Sequence, residues 1–142
     1  WAASDAMALA VADELKAMGR KPGQDLLVGG IDWTPEGVRA VAEGRLDVTL
    51  GGHFLDAAWS LVLIHDHYHG LWGGKEPRHR LSRLSAITAR NVHHYQRLFG
   101  EGRWSAIDFG RFSRSFRGDG TSYDFSLEAI LHAASGITPD AR

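Results

Sequence analysis

The amino-acid sequence of 142 residues contains no cysteine, no strong excess of charge of either sign and no long apolar run. Without cysteine, disulfide bonds and thiolate metal sites are excluded. Sixteen basic and seventeen acidic residues give a net charge of −1, so nothing attracts the whole chain to nucleic acid or anionic membranes. No apolar run approaches the roughly twenty residues that a membrane-spanning helix needs. The hydrophobic content of 44% suffices for one ordinary core.

One local pattern occurs three times: an apolar run, a sharp polar turn and a segment with helical periodicity. The turns lie at residues 3–5, 31–35 and 51–53. In a parallel α/β sheet, strand-to-helix turns lie at the carboxyl ends of the strands, along one edge, where such folds bind ligands. We therefore expect one crevice to be lined by side chains from these turns: Ser4, Asp5, Asp32, Trp33 and His53.

The first half of the chain is periodic enough to predict individual elements. Helical periodicity predicts helices over residues 5–18, 35–43 and 54–69, and continuous apolar runs predict buried strands over 26–31 and 46–50. The apolar stripe of the first helix, with Met7, Ala8, Val11, Leu15 and Met18, is predicted to face the core. Thr34 is the predicted N-cap of the second helix, with Pro35 at its first position.

The second half of the chain is less regular. Residues 73–77 break the pattern, and the sequence predicts an extended segment over 81–87, a helix from a Thr88 cap to Phe99, an irregular loop over 111–122 and a closing helix over 126–134. Its aromatic residues are too numerous for a solvated tail, so we expect them to pack on the rest of the chain: Trp104, Phe109, Phe112, Phe116, Tyr123 and Phe125.

Four sequence strings resemble a known family. They are AASDAMA at 2–8, PGQD at 22–25, VGGID at 28–32 and GRLDVT at 44–49. In order and spacing they are similar to the second lobe of the type I periplasmic binding proteins, whose usual text is close to A-x-N-D-x-M-A, G-x-D and G-x-L-x-A-T-V. The similarity is clear from Trp1 to about Gly70, and AITARNV at 86–92 resembles the segment after the last crossover in some members.

The resemblance implies a fold and a domain organisation. It implies an α/β, Rossmann-like lobe with a parallel sheet in three layers, formed by residues 1–75 as βαβαβα. Residues 76–142 would be a crossover and an irregular C-terminal tail that packs on the lobe. Because the chain begins at the end of a predicted strand, we expect residues upstream of Trp1, including the N-terminal lobe that intact members have.

The resemblance also implies a function. Family members close two lobes over a small polar ligand such as a sugar, and they deliver it to a membrane permease of an ABC transporter or report it to a sensor protein. For this chain it implies a periplasmic location, a sugar-like ligand, no cofactor and no nucleic-acid partner.

Individual site residues follow from the same resemblance. Asp32 stands at the family's ligand-binding Asp, which accepts hydrogen bonds from sugar hydroxyls. Ser4 stands where many members have a sugar-binding Asn, with Asp5 beside it. Gly52 or His53 stands near a polar Gln or Asn of the family. Trp33 is a candidate for stacking on a sugar ring, or for simple packing.

A histidine cluster supports a competing hypothesis. His65 and His69 lie four residues apart on one predicted helical face, a spacing that suits two imidazole ligands of zinc or nickel, with the third ligand supplied from elsewhere. The alternative explanation is that histidines are favoured at the end of a helix by its dipole.

Two further function classes remain at the sequence level. The same lobe occurs as the effector-binding domain of transcriptional repressors, which carry a DNA-binding helix pair upstream. Enzymatic motifs are missing from the sequence: there is no Gly-x-Ser-x-Gly elbow, no phosphate-binding loop and no His-Glu-x-x-His. We therefore expect a binding protein rather than an enzyme.

Overall fold

The computed structural model of the chain describes residues 1–71, 83–118 and 122–134. Within these residues the helices are α1 (Asp5–Ala17), α2 (Pro35–Ala42), α3 (Asp56–Tyr68), α4 (Val92–Tyr95), α5 (Arg114–Arg117) and α6 (Leu127–Ala133). The strands are β1 (Gly29–Ile31), β2 (Val48–Gly51) and β3 (Ser85–Thr88). Single 3-10 turns span His53–Leu55, Trp104–Ala106 and Phe109–Phe112, and a π-helical turn spans Gln96–Gly100. No helix in the described part is long and apolar enough to cross a bilayer.

The three strands form one sheet in the order β1-β2-β3. β1 and β2 are parallel and are connected through α2, whereas β2 and β3 are antiparallel, with Gly51 opposite Ser85. Next to β1, the Ala2 amide donates to the Gly29 carbonyl at 2.9 Å, so the chain enters α1 along the sheet edge. The predicted α/β class is confirmed, and β3 makes the sheet mixed rather than purely parallel.

The first helix has the predicted bounds to within a residue, but its predicted apolar stripe is only partly buried, since Ala8 and Leu15 pack toward the core and Val11 is exposed. Met7 and Met18 are 56% and 68% exposed, while Asp5, Ala8 and Ala12 face inward. The helix turns Ala8 and Ala12 inward, rather than Met7 and Met18, because the Asp5 carboxylate accepts hydrogen bonds from residues on two other elements. The small side chains of Ala8 and Ala12 then let α1 approach β1 and α2 closely.

The second helix is built as predicted. The Thr34 hydroxyl accepts from the Gly37 amide at 3.0 Å, and Pro35 occupies the first helical position, where its missing N–H costs nothing. Val38 and Val41 are fully buried between α2 and the sheet. This helix therefore fixes the direction in which the β1–α2 turn presents its side chains.

The apolar run 26–31 forms a shorter strand than predicted. Leu26 is exposed and Leu27 is 78% exposed, and the strand begins only at Gly29. Val28, the residue before the strand, is held by Asp47. The Val28 amide donates to the Asp47 carboxylate at 2.6 Å, and the Val28 carbonyl accepts from the Asp47 amide.

The second half of the chain is anchored by aromatic packing, as expected, except that Phe116 is 71% exposed. The Trp59 ring of α3 stacks on Phe125, with centroids 4.5 Å apart, and contacts Phe112 edge-on at 4.8 Å. The closing helix is confirmed as α6 with Ser126 as its N-cap. Thr88 does not cap a helix. Its amide instead donates to Asn91 Oδ1 at 2.8 Å, which closes a turn before α4.

Candidate functional site

The structure brings Asp32 and His53 together at the carboxyl ends of β1 and β2. Asp32 follows β1, its amide donates to the Leu50 carbonyl at 2.7 Å, and its φ of 120° turns the chain sharply toward α2. His53 follows β2 after Gly52, whose φ of 104° favours a residue without a side chain. Asp32 Oδ1 and His53 Nε2 are 3.6 Å apart, and both side chains are about two-fifths exposed. We call these two residues the rim pair.

Ser4 lies at the start of α1, where it serves as the N-cap. Its hydroxyl accepts from the Met7 amide at 3.3 Å, and the residue is half-buried. A hydroxyl in this role keeps its own O–H as a donor. Ser4 can therefore cap the helix and still donate one hydrogen bond to another molecule.

Asp5 is a structural anchor rather than an accessible ligand-binding residue. Its carboxylate is fully buried and accepts from the Thr49 hydroxyl at 2.6 Å, the Thr34 amide at 2.8 Å and the Thr34 hydroxyl at 3.1 Å. Burial raises the pKa of Asp5, and the negative charge of Asp32 raises it further, against these three hydrogen bonds. The Asp5 side chain joins α1 to the β1–α2 turn and to β2. The expectation that it contacts a ligand is therefore corrected.

Trp33 is a core residue, so the expectation that it stacks on a sugar ring is also corrected. Its side chain is 1% exposed. The ring stacks on Tyr95 with centroids 5.8 Å apart and contacts Phe99 at 5.2 Å. The indole N–H donates to the Thr49 carbonyl at 3.1 Å. With both faces covered, Trp33 supports the rim pair from below and offers no free face to a ligand.

Close packing under the rim pair requires a residue without a side chain at the end of β2. A Cβ atom at Gly51 would lie 2.6 Å from Trp33 Cδ1, closer than side chains approach one another. Gly51 thus allows the indole to lie flat against the strand. The adjacent Gly52 contributes only backbone atoms to the site.

A cleft of about 910 Å³ opens beside Gly52, between α3, β3 and α6. Its wall combines aromatic rings with acidic side chains, including Trp59, Tyr95, Asp124 and Glu128. Burial raises the pKa of Tyr95, and the charge of Glu128 adds to that effect. Asp32 and His53 are not part of this wall. The rim pair therefore lies outside this cleft, with His53 next in sequence to Gly52, which lines it.

A second buried carboxylate, Asp66 on α3, was missed by the sequence analysis. It accepts from the Ser113 hydroxyl at 2.5 Å, the Arg114 amide at 2.7 Å, the Tyr123 hydroxyl at 2.9 Å and the Ser115 amide at 3.2 Å. Burial alone would raise the pKa of Asp66, but these four hydrogen bonds outweigh it and hold the pKa well below its usual range. His65 Nδ1 also lies 3.4 Å from Asp66 Oδ1, but the four donors above are 47 to 57 positions away, so nothing in the local sequence indicated this site.

The histidines proposed as metal ligands lie side by side on α3. The ring centroids of His65 and His69 are 4.4 Å apart, and the His65 ring also stacks on Phe116 at 5.3 Å. No group of three potential metal ligands occurs among the described residues. The two imidazoles thus lack the third ligand that the metal hypothesis needs from this part of the chain.

Comparisons with known proteins agree with this architecture. No family model and no curated protein sequence matches the chain. A periplasmic sugar-binding protein from Pseudomonas fluorescens is 34% identical over 90% of this chain, with a TM-score of 0.73. The periplasmic component of an arabinose ABC transporter from Shewanella sp. ANA-3, bound to L-arabinofuranose, is 22% identical over 74% of the chain, with a TM-score of 0.57. A galactofuranose-binding protein is 20% identical over 69% of the chain, with a TM-score of 0.54.

The fold is that of a lobe of a type I periplasmic binding protein, as the sequence strings had indicated. Within that class, the protein that shares 34% sequence identity with the chain is a sugar-binding protein. The chain spans 39% of the length of the P. fluorescens protein, 34% of the Shewanella protein and 33% of the galactofuranose-binding protein.

Proposed function

We propose that this chain contributes one lobe of a periplasmic solute-binding protein that binds a small sugar-like ligand for ABC-type uptake. The rim pair carries the proposal, because it places an exposed carboxylate and an imidazole at the edge where α/β sheets bind ligands. The similar proteins of known structure are sugar-binding proteins, which supports binding without catalysis.

In this proposal Asp32 accepts hydrogen bonds from sugar hydroxyls. Its carboxylate is two-fifths exposed, and a carboxylate can accept hydrogen bonds at both of its oxygens. Ser4 offers a hydroxyl donor, the His53 imidazole lies beside Asp32 Oδ1, and the Gly52 backbone lets the ligand approach closely. Asp5 and Trp33 act from beneath, where they hold the Asp32 turn in place.

The remaining parts of the proposal concern partners. Residues 1–75 would form the ligand-binding lobe and residues 76–142 the crossover and tail. A second lobe, outside this chain, would close over the ligand, and a membrane permease would receive the loaded protein in the periplasm. Reporting to a sensor protein would use the same closure of lobes.

The direct test replaces Asp32 in the full-length receptor. We expect Asp32→Ala to weaken binding by about 1.5–3 kcal/mol, the contribution of a hydrogen bond to a charged group, in calorimetric titrations with L-arabinose, D-galactose and D-fucose. Asp13→Ala, an exposed acid on α1, is the matched control and should bind like the wild type. Unchanged affinity in Asp32→Ala would reject the assignment of this residue.

A second test uses the 142-residue chain alone. Since we propose that half of the cleft lies outside this chain, the isolated chain should bind the same sugars far more weakly than the full-length receptor. Equal affinity of the two proteins would contradict the two-lobe proposal.

A further inference from the structure

The rim pair joins a carboxylate to the one side-chain type that ordinarily changes charge between about pH 5 and pH 8. His53 Nε2 lies 3.6 Å from Asp32 Oδ1, slightly beyond a hydrogen bond and within ion-pair distance. The His53 ring is held in this position from one side, since it packs edge-on against Phe54 at 5.9 Å. Phe54 in turn contacts Trp33 and Trp104. The aromatic core thus limits where the imidazole can move.

Other charged groups on the neighbouring elements define the electrostatic setting. Asp5, buried beneath the turn, interacts electrostatically with Asp32. Asp56 begins α3 directly after the turn that carries His53. Beside Trp104, Arg103 and Glu101 form an ion pair with each other at 2.8 Å. Asp32 is therefore flanked by a second carboxylate below and by the imidazole at its side.

We infer that protonation of His53 weakens sugar binding, by drawing Oδ1 of Asp32 into an ion pair and leaving one oxygen for the ligand. This inference rests on the proposed function. A neutral imidazole leaves both oxygens free to accept from two adjacent hydroxyls, whereas an imidazolium competes for one of them with a charge-assisted hydrogen bond. The receptor then releases its ligand more readily under acidic conditions, and the preferred ligand presents two neighbouring hydroxyl groups.

The test is the pH dependence of affinity in the full-length receptor. L-arabinose, D-galactose and D-fucose are titrated by calorimetry at about pH 7.5 and about pH 5, with circular dichroism to verify folding. For each sugar bound by the wild type, we expect the affinity to fall about tenfold at the lower pH, the loss of one hydrogen bond to a charged group. His53→Gln should remove this dependence. His93→Gln, at an exposed position on α4, should keep it.

Comparing the pH dependence of affinity in the wild type and the two variants shows which group causes it. A pH dependence that persists in His53→Gln would assign the effect to another group, such as Asp5, and would overturn the inference. Affinity that is equal at both pH values, or higher at the acidic one, would also overturn it while leaving the proposed function intact. No binding of any of the three sugars at either pH would reject the proposed function together with the inference.

Discussion

Asp5 and Asp66, the two buried carboxylates described above, lie in different regions and are stabilised by different sets of hydrogen-bond donors. Asp5 sits under the sheet edge and accepts from two threonines, while Asp66 lies in α3 and accepts from four residues of the tail. Both are fully buried. Yet the pKa of Asp5 is raised and that of Asp66 is lowered. Asp5 lies deeper in the protein and has fewer donors, whereas Asp66 lies closer to the surface and has more, so depth and donors together set the two directions.

The kind of donor distinguishes the two sites further. Two of the hydrogen bonds to Asp66 come from the backbone amides of Arg114 and Ser115, which can only donate. Asp5 receives two of its three hydrogen bonds from the hydroxyls of Thr34 and Thr49, which can reverse direction. The Asp66 site therefore requires an anion, whereas the Asp5 site tolerates a neutral group.

Replacing each aspartate by asparagine should give the largest difference in stability between the two sites. Asp66→Asn places an NH₂ group against donors that cannot reverse, so we expect the free energy of unfolding to fall by about 3 kcal/mol. Urea denaturation at neutral pH measures this loss. Asp13→Asn, an exposed aspartate on α1, is the control and should change stability by less than about 0.5 kcal/mol. A loss at Asp66 no larger than that of the control would contradict the requirement for an anion.

Acid titration should separate the two regions without any mutation. Because the folded-state pKa of Asp66 lies below its ordinary value of 3.8, its stabilisation is present above about pH 4 and is lost as the pH falls toward the folded-state value. The raised pKa of Asp5 has the opposite sign: its contribution is present at low pH and is lost as the pH rises through the folded-state value. Hydrogen exchange should therefore show α5 losing protection below about pH 4 before the Thr34 and Thr49 amides do. Loss of protection at the same pH in both regions would contradict the expectation that the two carboxylates titrate independently.

Asp5→Asn should cost less than the same change at Asp66. An asparagine can accept from the Thr34 amide and donate to the Thr49 hydroxyl, so we expect a loss of about 1 kcal/mol in urea denaturation. The Asp13→Asn control applies here as well. A loss at Asp5 equal to or above that at Asp66 would overturn the distinction between the two sites.

The smallest expected effect concerns Arg114, whose side chain stacks on Tyr123, a hydrogen-bond partner of Asp66. The Arg114 guanidinium lies 4.2 Å above the centre of the Tyr123 ring, and the Tyr123 hydroxyl donates to Asp66. Arg114→Lys keeps the charge and the backbone amide but loses the planar stacking, so we expect a loss of about 0.5–1 kcal/mol in thermal denaturation. Arg97→Lys on the exposed side of the π-helical turn is the control. A matching change in both variants would exclude a specific stacking effect.

Local rules predicted much of the architecture. The Thr34 cap with Pro35, the closing helix and the order of β1, α2 and β2 follow from side chains close together in sequence. The meeting of Asp32 with His53 follows from the parallel pairing of two strands whose turns leave the same edge. Each of these features depends on partners within about twenty residues.

Features that depend on distant partners could not be predicted in this way. The rotation of α1 is set by hydrogen bonds from Thr34 and Thr49 to Asp5, across 29 and 44 positions. The burial of Trp33 requires Tyr95 and Phe99, which belong to the irregular second half. A polar or aromatic residue beside a predicted turn is equally compatible with a ligand contact and with such a long-range tie, so sequence pattern alone could not decide.

The Asp66 site has a consequence for the integrity of the chain. It joins α3 to the segment that begins at Ser113, closing a loop of 47 residues without a covalent bond in a protein that has no cysteine. A disulfide at this place would limit the unfolded chain and persist during unfolding, whereas the carboxylate cross-link exists only in the folded state. A single proteolytic cut inside the loop should therefore leave two fragments that remain associated at neutral pH and separate in acid.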